Sequence, residues 1–141
     1  ASTIGGMAFI SSNVGAVHAF AETVGAWFDT PHGVANSLFL PYIMEFNIPA
    51  CPERFADIAD AMGIEREESM SDEQYALKAV EYVKALNRKL NIPTIKEIKG
   101  ITEERFEAIA ERSANNVLSN DNARKITKED YLELLKKAYN E

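Results

Sequence analysis

The chain has 141 residues, 46% of them hydrophobic and 26% charged, and a formal net charge of −7. That length supports one hydrophobic core, and the composition is that of a globular protein rather than a disordered or membrane-spanning chain. The acidic balance, with no cluster of Lys or Arg, excludes a nucleic-acid partner, because phosphate binding needs concentrated basic charge.

Charge is distributed unevenly. Residues 1–50 contain no Lys or Arg and only Glu22, Asp29 and Glu45 as acids, while all 15 basic residues fall in the remainder. A solvated helix needs a polar face, so this first segment is expected to be covered on several sides by other protein. Ala1 already lies inside a helical, small-residue pattern, so the start reads as cut, fitting an engineered fragment, a proteolytic product or a piece of a longer gene product. The spacing predicts one long or kinked helix over 2–28. Gly5, Gly6, Gly15 and Gly25 along it each cost about 1 kcal/mol against alanine, which points to close backbone approach by a neighbour or ligand. Asp29-Thr30-Pro31-His32-Gly33 breaks that helix, with Thr30 suited to cap the next one and Pro31 to open it. A helix from about His32 to Phe46 follows.

Beyond residue 50 the pattern becomes amphipathic. Cys51 sits in a turn between Ala50 and Pro52 with no histidine near it in sequence, and reads as a bystander thiol; a lone cysteine also forms no internal disulfide and suits a reducing, cytoplasmic setting. Glu65 to Glu73 reads as a solvated loop. Ser71 and Gln74 fit a capping box ahead of a helix to about Leu90, with Ala76, Val80, Val83, Leu86 and Leu90 on its apolar face. Thr102 precedes Glu103 and Glu104 at the next helix start, whose buried stripe is Phe106, Ile109, Ala110 and Val117. Thr127 and Asp130 open the last helix, with Tyr131, Leu134, Leu135 and Ala138 inward. Gly63 and Gly100 are placed as turn glycines. No stretch alternates with period two, so the fold class is all-α, one helical domain over 1–141, with no membrane-spanning segment.

Three side chains could carry chemistry. His18 and Glu22 are four apart and share a helix face, and His32 lies across the turn that ends that helix. Imidazole and carboxylate together suit divalent iron, zinc, manganese or nickel. Spacing alone equally fits a core histidine, a turn histidine and a solvent-facing acid, and taken by itself it favours that plainer reading. The aromatic residues of this half, Phe9 among them, are core more often than pocket lining.

The run Gly6-Met7-Ala8-Phe9, Gly15-Ala16-Val17-His18-Ala19, Gly25-Ala26, Pro31-His32-Gly33-Val34-Ala35-Asn36 and Leu40-Pro41 is similar to the signature of the iron-containing alcohol dehydrogenases. The later segments around Phe46-Asn47, Ile92-Pro93 and Asn120 to Asp130 resemble that family too. The resemblance implies the helical C-terminal part of such an enzyme, without its Rossmann-like nucleotide-binding half. It further implies that His18 and His32 are two of four ligands to a catalytic divalent metal, iron foremost and zinc as the alternative, the Asp and first His belonging to earlier helices. Phe9 falls where the family sets an aromatic side chain against the nicotinamide and substrate. Glu22 stands where many members have a second histidine assigned to proton relay, and Asn122-Ala123-Arg124 where relatives often have Asn-Pro-Arg, a difference expected to touch a turn.

The implied parent activity is hydride transfer between a small alcohol or aldehyde and NAD or NADP, with the metal as Lewis acid. The chain itself is expected to be inactive until the nucleotide-binding portion is supplied, and to associate as a homo-oligomer. The alternatives are a stand-alone helical self-association module, or an independent metal-binding protein using His18, His32 and Glu22.

Overall fold

The computed structural model describes residues 2–141. Seven α-helices follow one another: α1 (Ser2–Ser12), α2 (Ala16–Phe28), α3 (His32–Asn47), α4 (Pro52–Ala61), α5 (Asp72–Lys89), α6 (Phe106–Ala114) and α7 (Lys128–Asn140). Short 3₁₀ turns lie at Ile48–Ala50, Ile95–Glu97, Glu103–Arg105 and Val117–Asp121. No strand occurs among the described residues. The all-α expectation holds.

Two apolar cores organise the bundle. In the larger, Phe20 of α2 stacks on Phe39 of α3 with ring centroids 4.2 Å apart and meets Tyr131 of α7 edge-on at 4.5 Å. Ile109 and Ala110 of α6 and Leu135 of α7 close it. The smaller core joins the end of α3 to α4 and α5 through Met44, Ile48, Phe55, Ala59, Tyr75, Ala76, Ala79, Val80 and Val83. Both contain the residues that helical periodicity placed inward, and the exceptions are local. Leu86 and Leu90 are 40% and 60% exposed, at the end of α5 where the bundle stops covering it. Val117 is 70% exposed, because α6 ends at Ala114 and the chain has already turned into the 3₁₀ segment.

The expected single helix over 2–28 is two helices. Asn13 adopts a left-handed backbone (φ 62°), a conformation that asparagine tolerates better than most residues, and it ends α1. The crowding expected at glycines is found at two of the four. A Cβ on Gly15 would lie 2.9 Å from Asn122 Oδ1, and one on Gly25 3.2 Å from the Thr30 carbonyl oxygen, whereas Gly5 and Gly6 face open space. At the next junction Pro31 is extended (ψ 133°), so α3 starts at His32 and the Thr30 hydroxyl turns back to the Phe28 carbonyl instead of capping it. Thr102 likewise makes no side-chain cap; a 3₁₀ turn precedes α6.

Proline inside a helix deprives the carbonyl four residues earlier of its donor. Pro41 lies inside α3, and the Ser37 carbonyl it leaves free accepts from Asn87 Nδ2 of α5 at 2.6 Å. That bond pins α3, which carries His32, to the second core. Helix α5 begins in the expected capping box, Ser71 Oγ accepting from the Gln74 amide and Gln74 Oε1 from the Ser71 amide, and α7 begins in the same arrangement of Thr127 and Asp130. No described helix is long and apolar enough to cross a membrane.

Candidate functional site

His18 lies in the first turn of α2, its amide donating to the Gly15 carbonyl at 3.0 Å, and His32 is the first residue of α3. The helices are joined by Asp29, left-handed at φ 51°, which turns the chain sharply enough for α3 to pack back across α2. The two imidazoles meet with centroids 5.2 Å apart and planes tilted by 52°. Two imidazoles on one ion, with metal–nitrogen distances near 2.1 Å and a roughly tetrahedral angle, place their centroids about 5 Å apart. The separation therefore fits a shared ion.

The electrostatics favour the unprotonated ligand form at His18. Burial, the charge of His32 and, in the opposite direction, Glu22 act on it, and the net result holds its pKa below the ordinary histidine value. A neutral imidazole offers a lone pair, which a metal needs. At His32 the Asn36 amide, one helical turn on, donates to Nε2 at 2.9 Å and to the His32 carbonyl at 3.1 Å. An ion at His32 must displace that amide or use the other ring nitrogen. Asn36 Oδ1 is buried with no hydrogen-bond partner among the described residues, an acceptor available to an imidazole N–H if the amide turns over.

Glu22 does not complete a third donor. Its Oε2 accepts from Asn116 Nδ2 at 2.7 Å, and Asn116 Oδ1 accepts from the Leu118 amide at 3.0 Å, so the carboxylate leans toward the turn after α6. Among the described residues no group of three or more His, Cys, Asp or Glu side chains is placed to hold a metal ion. Phe9 projects from α1, 53% exposed, and α1 shares no extended contact with any other element. The histidine pair is thus assembled within this chain, while Glu22, near enough to act on His18 by charge, is bonded to Asn116 and Phe9 lies on the exposed α1. Cys51 is half-buried, its thiol pushed up in pKa mainly by burial, away from any histidine in sequence.

Sequence reasoning missed two contributors. Asn36 lay within the quoted motif but went unassigned, although an asparagine four residues after a histidine on a helix is within reach of its ring. Asn116 carried no readable signal, because its partner Glu22 is 94 positions away.

The class defined by this arrangement is an all-helical domain that presents a histidine pair from two consecutive helices. The model of the Fe-containing alcohol dehydrogenase family, C-terminal, matches residues 1–139, and the chain belongs to that family. It is 39% identical over 136 residues to the lactaldehyde reductase of Escherichia coli K12, covering 96% of this chain and 35% of that protein. It is 36% identical over 139 residues to the 1,3-propanediol dehydrogenase of Citrobacter freundii, covering 99% of this chain and 36% of that one. The alcohol dehydrogenase from Oenococcus oeni superposes with a TM-score of 0.88 at 41% identity, over 95% of this chain and 35% of the other. The chain spans about a third of the length of the curated relatives it matches.

Proposed function

We propose that this chain is the metal-holding helical portion of an NAD- or NADP-dependent alcohol dehydrogenase, with His18 and His32 as two of the ligands to a catalytic divalent metal, iron foremost and zinc as the alternative. The observation that carries the reading is the 5.2 Å approach of the two imidazoles from separate helices. A metal held by His18 and His32 would supply Lewis acidity toward an alcohol or carbonyl oxygen, and a nicotinamide cofactor would supply the hydride chemistry. The work of this chain is positional. The rings of His18 and His32 are oriented by α2 and α3, Asn36 orients His32, Phe9 supplies an aromatic wall beside cofactor and substrate, and Glu22, fixed by Asn116, serves as a proton-relay carboxylate at the edge of the site.

In this reading the remaining ligands come from earlier helices of the whole enzyme and the cofactor site from a nucleotide-binding portion, in a reducing, cytoplasmic compartment, with a small alcohol or aldehyde as substrate. Among relatives, cofactor use differs by name: the butanol dehydrogenase of Clostridium saccharobutylicum is NADPH-dependent and the methanol dehydrogenase of Bacillus methanolicus NAD-dependent. The test is metal analysis of the complete enzyme and its variants. His18→Ala and His32→Ala are each expected to abolish both bound metal and turnover, whereas Glu22→Gln lowers turnover by about 10² to 10⁴-fold with metal retained. Stoichiometric metal in both histidine variants would sink the ligand assignment. The 141-residue chain alone, given NAD or NADP, a divalent metal and short alcohols, is expected to produce no reduced cofactor, since hydride transfer needs the reacting carbons held about 3 to 3.5 Å apart.

A second reading is favoured by α1, where Ile4 and Ile10 are 73% and 77% exposed: a helical module that self-associates through this apolar surface. The two readings are compatible with a homo-oligomer. A monodisperse monomer by light scattering at high concentration would remove the second.

A further inference from the structure

We propose that Asn122 is a positioning residue for the histidine pair: it fixes the first turn of α2, and with it the approach of the His18 ring to His32. Residue 122 lies 106 positions from Ala16, the first residue of α2, in a segment whose sequence reads only as a turn. In the fold its side chain is a four-way junction. Oδ1 accepts from the Ala16 amide at 3.3 Å and from Asn47 Nδ2 at 3.1 Å, while Nδ2 donates to Asn47 Oδ1 at 2.7 Å and to the Arg124 carbonyl at 2.8 Å.

The need for it is local. The first amides of a helix have no intrahelical acceptor, and the residue before α2 is Gly15, which has no side chain to supply one. Asn122 supplies the cap from a distant segment. Glycine is required there because a Cβ would meet Asn122 Oδ1 at 2.9 Å and displace it. The capped turn is the one that carries His18, whose amide closes it on the Gly15 carbonyl.

Asn47, the other partner, is the last residue of α3, the helix that His32 begins. The loop at residues 29–31 joins α2 to α3 at one end and works as a single pivot. The Asn122–Asn47 amide pair is a second tie, between the start of α2 and the end of α3, and two ties fix an orientation that one leaves free. Arg124 anchors the junction in turn, donating to the Phe46 carbonyl at 3.0 Å with its guanidinium 4.2 Å over the Phe46 ring.

The functional meaning of this rests on the reading of His18 and His32 as ligands, but the geometric claim is testable apart from it. The chain contains two histidines, so ring-selective isotope labelling yields two imidazole spin systems, and cross-relaxation between them reports their separation steeply. The wild-type chain is expected to show a ring-to-ring cross-peak. In Asn122→Ala and in Gly15→Ala, each confirmed as helical by circular dichroism, that cross-peak is expected to fall several-fold, and Asn122→Ser, which returns an acceptor to the Ala16 amide, to recover part of it. A merely structural role lowers Tm and leaves the cross-peak of the folded protein unchanged; that outcome, or the absence of the cross-peak in the wild type, overturns the proposal. Titration with Co(II) separates it from the ligand reading. Binding lost in His18→Ala and weakened about tenfold in Asn122→Ala supports both, the size being that of residues that orient metal ligands. Binding that survives His18→Ala overturns the ligand reading while the cross-peak still decides the role of Asn122.

Discussion

Helices α5 and α1 both expose much of their surface, and they meet water in opposite ways. Helix α5 carries Asp72 and Glu73 in its first turn, Arg88 and Lys89 in its last, a reciprocal cap at Ser71, and a single buried stripe of Tyr75, Ala76, Ala79, Val80 and Val83. Its acids and bases complement the helix dipole, and at the smaller core the Tyr75 hydroxyl has two acceptors to donate to, Asp60 Oδ1 at 2.7 Å and the Ile64 carbonyl at 2.6 Å. Helix α1 has no charged residue and no extended packing partner, with Ile4, Phe9 and Ile10 more than half exposed. An isolated helix of that length is marginal in water, since most helical stability in proteins comes from packing an apolar face. The order of α5 is therefore secured by contacts made within this chain, whereas the sequence of α1 suits contacts made outside it. The histidine helices α2 and α3 lie between these extremes: one side in the larger core, the other presenting imidazoles.

The contrast can be broken most severely through the core that α2 shares. Phe20→Ala removes a fully buried ring stacked on Phe39 and is expected to cost about 3 to 5 kcal/mol in denaturant unfolding, while Phe9→Ala in α1 is expected to stay within about 0.5 kcal/mol. Equal costs would mean that α1 packs as tightly as α2. Asn87→Ala tests the tie between α3 and α5: it strands the Ser37 carbonyl that Pro41 leaves unpaired, an effect of about 1 to 3 kcal/mol measured the same way. Ser71→Ala removes the reciprocal cap of α5 and is expected to cost about 1 kcal/mol, with amide exchange accelerating in the first turn of α5 and unchanged in α1.

A further effect appears at high pH. Burial pushes the Tyr131 hydroxyl up to about 12, and burial together with Glu141 does the same for Tyr42, from an ordinary value of 10.0. Between pH 10 and 12 the unfolded chain has lost both protons and the folded chain keeps them, so stability falls as pH rises through that window. Tyr131→Phe is expected to make that alkaline slope shallower, read from chemical denaturation across the window.

Several features were legible because their causes are local. Ser71 with Gln74 and Thr127 with Asp130 name their own helix starts, since each bond closes within four residues. Apolar spacing placed Phe106, Ile109, Tyr131 and Leu135 inward, because helical periodicity is a property of consecutive residues. The His18 and His32 pair was visible as a motif, and the left-handed Asp29 that folds one helix onto the other sits between them in sequence. Other features had no local cause. Gly15 meets Asn122 just after the break at Asn13, Glu22 is drawn aside by Asn116, and the carbonyl left free by Pro41 is taken by Asn87. Each joins residues 50 to 107 positions apart through an amide side chain, a residue type whose sequence signal is simply that of a turn. The sequence by itself determined the later helices α3, α5, α6 and α7, most of their buried faces and the family's two histidines, because these follow from neighbours along the chain. The tertiary structure alone decided how closely the imidazoles meet and which polar groups hold them there, because a hydrogen bond between distant segments exists only once packing has brought its donor and acceptor within about 3 Å.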